Sequence, residues 1–482
     1  MRKPSLAPLA LAAALFISGC SLMPTYERPA APVPTTFPGD PAQPTGTSAA
    51  ALPWQQFFTD PRLAGLIETA LANNRDLRVA AQNVEVARAQ FGIQRAALFP
   101  SVGLSADGSR SAPNAARAIN PNAGSVAQNF SVDLGITAWE IDFFGRLGSL
   151  REAALAQYLA TEESQRAAQT SLVAAVANGW LTLLADEELL AITRQTLATR
   201  EDTLKLTQLR FDNGVSSEVD FQLANSLAET ARATYAQQLR LRRQDENALA
   251  LLLGAPVPAS ALTGLEGGLA RVQPMPAVPA GLPSDLLTER PDIRAAEQQL
   301  IASNANIGAA RAAFFPRVSL TSSIGTASSE FSNLFSSGSK AWAFAPVISL
   351  PIFDAGRNQA NLDASRAQRE IAVAQYEKSI QTGFREVADA LAGRETLGEQ
   401  VRALQATAAA ESRRFQLADL RYRNGVASSL DLLDSQRSLF AAQQSAVQVR
   451  LLQLQNQVLL YKALGGGWTP SGTAAAPRQS PA

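Results

Sequence analysis

The chain alternates between two hydrophobic periods. From Asp60 to Phe99 the apolar positions Leu63, Leu66, Ile67, Leu71, Leu77, Val84 and Ala87 recur at helical spacing. Pro100 ends that helix, because proline has no N–H to continue the ladder. The period then falls to two. Val102, Leu104 and Ala106 alternate with Ser101, Gly103, Ser105 and Asp107, and after a Pro/Asn/Gly/Ala loop over 113–127 the residues Phe130, Val132, Leu134 and Ile136 alternate again. This predicts a β-hairpin over about 101–142, with strands of roughly ten residues, near the length of a tilted transmembrane strand. From Gly145 a helical pattern runs without proline to Asn213-Gly214. It is about 67 residues long, or about 100 Å at the helical rise. Val176, Leu183, Leu190, Leu197 and Leu204 mark a seven-residue seam along it. A tip turn is predicted at about 212–217, followed by a return helix ending at Gly254.

The same order then recurs. Ala96-Ala97-Leu98-Phe99-Pro100 is matched by Ala312-Ala313-Phe314-Phe315-Pro316, an offset of 316 − 100 = 216. Asn213-Gly214-Val215 is matched by Asn424-Gly425-Val426, an offset of 424 − 213 = 211. The difference of five residues falls in the strand–loop–strand region. Repeat 1 is placed at 60–254 and repeat 2 at 284–465, with a second hairpin over about 317–353 and a second tip turn at about 423–428. A Pro/Gly-rich linker (255–283) joins them, and a Pro/Ala/Ser-rich tail (466–482) follows. Long polar-faced helices of this kind must pack side by side to be stable.

Aromatics crowd the strand ends: Phe99, Trp139, Phe143, Phe144, Phe314, Phe315, Trp342, Phe344 and Phe353. They read as an interfacial girdle. Two hairpins supply four strands, whereas single-chain membrane barrels begin at about eight. Sheet edges are not tolerated in hydrocarbon, so strands in a membrane require a homo-oligomer that shares one barrel. The number of chains does not follow from this reasoning alone.

Residues 1–19 read as a secretory signal: Arg2 and Lys3, an apolar core from Leu9 to Ile17, then small residues. Ile17-Ser18-Gly19-Cys20 resembles the bacterial lipobox, which predicts removal of 1–19 and acylation of Cys20. Residues 20–59 are expected to form an extended, weakly structured lipid-anchored arm. Loss of Arg2 and Lys3 leaves 40 basic against 42 acidic residues, with no strong field for nucleic acid. Cys20 is the only cysteine and there is no histidine, which excludes disulfides within the chain, His-based catalysis and His–metal sites. No later segment holds about 20 uninterrupted apolar residues, so no membrane-spanning helix is expected after the signal. No catalytic set, metal site or cofactor is predicted beyond the covalent lipid on Cys20. The acidic run Asp186-Glu187-Glu188 is expected to be a solvated helix face.

The order of lipobox, helix ending in Phe-Pro, hairpin, long helix, Asn-Gly-Val turn and return helix, done twice, resembles the outer-membrane factor (TolC-like) family and, within it, the lipoprotein efflux channels. The stretches NNRDLRVAAQNVE (73–85), AARAAFFP (309–316), VAQYEKSIQT (373–382) and YKALGGGW (461–468) carry the similarity, which spans nearly the whole mature chain. The resemblance implies an α+β membrane protein. Its outer-membrane β-barrel would be a homotrimer's, with four strands per chain and 12 in total, continuing into a long periplasmic α-helical barrel. It implies an exit duct of a tripartite efflux system that exports drugs or other small toxic compounds. The duct would work with a periplasmic adaptor (membrane fusion protein), an inner-membrane pump of the resistance-nodulation-division type, and outer-membrane lipid.

The resemblance also locates the candidate site in Arg421 to Asp434. Leu430 and Asp434 match the family's gate, an apolar ring and a carboxylate ring, with Asp431 as a second carboxylate. Arg421, Tyr422 and Arg423 are placed to latch the closed tips. Gly214, Val215, Gly425 and Val426 are the expected adaptor contacts. Asn-Gly also has a plainer reading, a capped helical hairpin in which glycine supplies φ > 0. A lipid-anchored helical scaffold without a pore is the alternative to a duct, and the alternating strands with aromatic ends argue against it.

Overall fold

The computed structural model describes residues 21–38, 49–112, 126–273, 275–281 and 283–468. The expected signal (1–19), the expected acylation site Cys20 and all but the start of the tail (466–482) lie outside the described residues, as does most of the 113–127 loop. The principal helices are α1 (Pro61–Asn73), α2 (Arg75–Ala96), α3 (Arg146–Asp212), α4 (Glu218–Leu253), α5 (Pro291–Ala312), α6 (Arg357–Arg423) and α7 (Ser429–Ala463). The strands are β1 (Val102–Ser111), β2 (Ala127–Ile141), β3 (Arg317–Ser328) and β4 (Lys340–Ser349). Short α-helical turns at Trp54–Phe57, Ala259–Leu262 and Leu286–Glu289, and 3-10 turns at Ala49–Ala51, Gly268–Arg271, Pro283–Asp285 and Phe331–Asn333, are the other helical elements among the described residues. The chain divides into two compact units. One holds Asn83–Thr161, Ala295–Tyr376 and the described residues up to Ala30; the other holds Ala31–Gln82, Glu162–Arg294 and the described residues from Glu377.

In the first unit the two hairpins form one antiparallel sheet, ordered β1-β2-β3-β4. Its register sorts the side chains by polarity. Leu104, Leu134, Ile324 and Trp342 are direct cross-strand partners in one row, all exposed. The next row is Ser105, Asp133, Gly325 and Ala341, which faces the other way because successive residues alternate sides. Where the two repeats meet, β2 and β3 approach closely. A Cβ on Gly325 would lie 2.1 Å from the Val132 carbonyl oxygen, and one on Gly135 2.6 Å from that of Ser322. A bulge between Ile136 and Trp139 puts Ala138 at φ 50°, and the Thr321 hydroxyl accepts its N–H at 3.1 Å. Among the described residues the outer edges of β1 and β4 have no partner.

The arm was expected to be weakly structured. Residues 21–30 form no helix or strand, but specific contacts hold them against α5. Arg28 grips Glu297 with two bonds, at 2.6 and 2.9 Å, and the Tyr26 hydroxyl adds a third at 3.0 Å. Asn304 donates to the Pro24 carbonyl at 2.8 Å. A Cβ on Gly308 would sit 2.8 Å from Met23 Cα, so this glycine is the arm's seat, while its repeat mate Gly92 faces open space.

The second unit is built on helical hairpins. Its most buried cluster gathers Trp54, Phe57, Leu66, Ile67, Trp180, Leu249, Leu253 and Tyr461. Phe57 stacks on Tyr461 at 4.0 Å, and the Tyr461 hydroxyl donates to the Leu52 carbonyl at 2.6 Å. Asp60 caps α1 through the Arg62 N–H and accepts from the Trp180 indole.

Three expectations need correction. The helix from Asp60 to Phe99 is two helices, broken at Asn74, where ψ is 132°. The repeat-2 mate, Arg290, breaks the chain likewise at ψ 119° before Pro291. Second, the heptad seam buries Val176, Leu183 and Leu190 but not Leu197 or Leu204; nearer the tip the buried positions are Thr193, Arg200, Thr203 and Thr207. The threonine hydroxyls satisfy themselves on the carbonyls four residues back. Third, the acidic run is not a solvated face. Asp186 is buried and accepts from Gln238, Glu187 pairs with Arg242, and Glu188 accepts the Leu269 N–H of the linker. By length and composition α3 also contains a stretch apolar enough to cross a membrane, but more than half of that stretch is buried within the fold, as in a core helix.

Candidate functional site

Each long hairpin turns at an Asn-Gly pair. Gly214 and Gly425 take φ 71° and 72°, which costs a Cβ-free residue nothing. Val215 and Val426 stand exposed beside them, and a Cβ on either glycine would meet nothing within 4 Å. The four expected adaptor contacts therefore form two open, apolar-tipped turns. Each return helix is capped by a serine. Ser217 accepts the Asp220 N–H, and Ser428 forms a reciprocal capping box with Asp431. Asp431 is thereby engaged at its own helix start, with its carboxylate accepting from the Ser428 hydroxyl at 2.9 Å.

Its repeat mate Asp220 does more. It accepts from the Ser217 hydroxyl at 2.7 Å and also from the Ser429 hydroxyl of the second tip. The bonds from Ser429 and Ser217 hold the Asp220 carboxyl below its ordinary range. A second tie runs from Arg210 at the end of α3. Its guanidinium lies 4.3 Å from the Tyr422 ring centroid and donates to the Tyr422 carbonyl at 3.2 Å. Tyr422 is buried by this clasp, whereas Arg421 and Arg423 are exposed, with Arg423 bonded to Asp419 one turn back.

Leu430 is exposed, 62% of its surface remaining open, as an apolar gate residue presented to other chains would be. Asp434 lies one turn further along α7. It accepts from Arg414 of α6 at 2.5 Å and from Arg437 at 2.6 Å. These bonds, Arg414 first, hold its carboxyl below the usual carboxylate range. The family resemblance singled out Leu430 and Asp434, but the sequence did not point to their neighbours Arg414 and Arg437, nor to Arg210 and Asp220 as ties between the tips. Arg437 sits three residues from Asp434 on a helix, a spacing that was readable. Arg210 and Arg414 come from other helices and carried no local signal.

A sheet that is apolar on one face, polar on the other and open at both edges, carried with very long helical hairpins, defines a subunit of a membrane channel. The chain belongs to the outer membrane efflux protein family, which matches it twice, over residues 66–255 and 282–466. The two matches fall on the two repeats. Two Pseudomonas putida proteins, the antibiotic efflux pump outer membrane protein ArpC and the toluene efflux pump outer membrane protein TtgC, are each 48% identical over 465 residues, covering 95% of both chains. The open-state MtrE outer membrane channel of Neisseria gonorrhoeae superposes with a TM-score of 0.83 at 41% identity, over 93% of this chain and 99% of that one. The solved neighbours are trimeric outer-membrane channels with a helical barrel and a sheet domain. The fold is that of a TolC-like outer-membrane efflux channel, in which three sheets of four strands close one barrel.

Proposed function

We propose that this protein is the exit duct of a tripartite pump, passing antibiotics or apolar toxic compounds outward. It would receive them from a periplasmic adaptor and an inner-membrane pump of the resistance-nodulation-division type. The observation that carries this reading is the two-faced sheet. The row Leu104–Leu134–Ile324–Trp342 suits lipid, the row through Asp133 suits a water-filled lumen, and the unpaired edges of β1 and β4 demand neighbouring copies. The antibiotic and toluene pumps served by the 48% relatives support the substrate class. Acylated Cys20 anchors the arm, and no other cofactor is needed.

Leu430 and Asp434 form the periplasmic gate. Three Leu430 side chains narrow the axis, and three Asp434 carboxylates ring it, each held by Arg414 and Arg437 of its own chain. Asp431 contributes by fixing the start of α7. Closure also depends on the Arg210–Tyr422 clasp, with Arg421 and Arg423 at the rim, while Gly214, Val215, Gly425 and Val426 receive the adaptor. Planar-bilayer recording tests the gate. Asp434→Ala frees both arginines, so open probability rises and cation selectivity falls; unchanged conductance and selectivity would remove Asp434 from the gate.

A further inference from the structure

The sheet sorts its charges as well as its apolar residues. β1 carries Asp107 and Arg110, β2 Asp133 and Glu140, β3 Arg317, and β4 Lys340. Successive side chains alternate sides, so Arg110 lies on the face of Leu104 and Lys340 on the face of Trp342. Asp107, Glu140 and Arg317 fall on the opposite, polar face with Asp133. Arg110 and Lys340 are therefore the two charged residues on the apolar face, and both are cations. Both also lie at the ends of their strands remote from the helices. β1 follows α2 and reaches Arg110 at its far end, while β4 begins at Lys340 and runs back to α6. At the helix end the apolar face presents Val102, Ile141, Val318 and Ile348, with no charge. Arg110 and Lys340 are exposed, and among the described residues neither forms a salt bridge.

Aromatic rings stand beside them. Phe130 is the cross-strand partner of Gly108, and a Cβ on that glycine would lie 3.3 Å from the Phe130 ring. Phe331, from the turn between β3 and β4, meets Phe130 edge-on with centroids 5.5 Å apart. Phe331, Phe335 and Trp342 are exposed. The carboxylate in this turn, Glu330, accepts from Asn333 at 3.0 Å and forms no salt bridge with Lys340. The segment between β1 and β2, residues 112–126, holds one charged residue, Arg117, and no carboxylate.

Closure of the barrel sets β1 of one chain beside β4 of the next, so Arg110 and the neighbouring chain's Lys340 share a seam. A bilayer with two alike leaflets would call for alike borders at the two ends of the sheet. Here the far border is cationic and the helix-side border is uncharged. We propose that each seam binds a phosphorylated glycolipid of the outer leaflet, of the lipid A type, with its phosphates on Arg110 and Lys340. Arginine meets phosphate with forked donors and lysine with a point charge. Its acyl chains lie along Leu104 and Trp342, and the exposed rings cover the boundary between chains and sugar. Asp107 and Asp133 face the lumen, so they do not oppose the phosphates. The inference rests on the reading of the sheet as a membrane barrel and names the lipid that borders it.

Native mass spectrometry of the delipidated full-length trimer in detergent tests this, with bis-phosphorylated lipid A and phosphatidylglycerol as probes. Lipid A should be retained, one per seam, in preference to phosphatidylglycerol, which is anionic but has no sugar backbone. Arg110→Gln and Lys340→Gln should each lower the apparent affinity for lipid A about fivefold. Equal retention of the two lipids, which marks a general anionic annulus, overturns the proposal. So does an undiminished affinity for lipid A when both residues are replaced. Both side chains are exposed and off the lumen, so the double variant should keep its trimer and its conductance in planar bilayers. A wild-type protein that does not conduct would count against the duct, whereas the lipid readout makes no use of conductance.

Discussion

Replacing Asn74 or Arg290 opens one of a matched pair of locks that the two repeats build from different residues. Asn74 Nδ2 donates to the Leu252 carbonyl at 2.9 Å, and its Oδ1 accepts the Leu77 N–H at 2.9 Å. Arg290 Nη1 donates to the Ala463 carbonyl at 2.9 Å, and 463 − 252 = 211 is the repeat offset. The approach is too tight for a side chain in both copies, more so in the first. A Cβ on Gly254 would lie 2.3 Å from the Asn73 carbonyl oxygen, and one on Gly465 2.8 Å from that of Glu289. Arg290 also holds Asp292 at 2.6 Å and Glu386 at 2.8 Å. Asn74→Ala loses a helix cap, about 1 kcal/mol, and orphans a carbonyl, about 1 kcal/mol more. Its cost is about 2 kcal/mol, roughly 30-fold in the folding equilibrium. Arg290→Ala orphans the mate carbonyl and leaves two carboxylates without their cation. Breaking a buried pair costs about 3–5 kcal/mol, but Glu386 and Asp292 are 26% and 44% exposed, so water screens part of the loss. The total is about 3 kcal/mol. Arg290→Asn, which transplants the repeat-1 solution, should recover the carbonyl bond and return about 1 kcal/mol. Guanidinium unfolding followed by far-UV circular dichroism, at fixed protein concentration, measures all three. If Arg290→Asn is no more stable than Arg290→Ala, the carbonyl tie is not the element the repeats share.

Burial, then the neighbouring Asp245, raise the Asp186 carboxyl from 3.8 to about 7. The folded state therefore holds a proton that the unfolded chain has released, so stability falls as pH rises from about 4 to about 7 and is flat above that. Asp186→Asn should remove this fall in thermal melts across pH 4–9; a slope equal to wild type would contradict it. Asp434 behaves in the opposite sense. Its carboxyl is depressed, so its pairing is complete above the ordinary carboxylate range and is lost only as pH falls through the depressed value. Opening that changes between pH 5 and 8 would then have to arise elsewhere. Gly308→Ala drives a Cβ to 2.5 Å from Ser149 Oγ and 2.8 Å from Met23 Cα, so limited proteolysis should release the 21–30 arm. Gly92→Ala, at the mate position, meets nothing within 4 Å and should leave the arm protected while adding up to about 1 kcal/mol of helix stability.

Much of the fold was legible because it is written in periods. The change from helical spacing to alternation at Pro100 and Pro316 located both hairpins, and the Asn-Gly pairs located both tips. The break at Arg290 was also legible, since a residue before proline is biased to extended backbone, but the one at Asn74 was not. It depends on the Leu252 carbonyl, 178 residues away. The acidic run failed as a solvated face because α3 is surrounded by other helices at that level, and a seven-residue count cannot report how many neighbours a helix has. At the tips, Leu430 and Asp434 were singled out by family likeness alone. The arginines that neutralise Asp434 and clasp Tyr422 lie on other helices, so only the fold assembles them.

The claim that matters most is that β1 and β4 are completed by neighbouring copies. Cross-linking tests it in the membrane, with Ser105→Cys on β1 combined in turn with Ala343→Cys, Ala345→Cys and Val347→Cys on β4, all on the polar face of the sheet. Oxidation followed by denaturing electrophoresis should give, for at least one pair, a ladder that ends at a covalent trimer. Disulfides confined to single chains, or none for any pair, would contradict a barrel shared between chains.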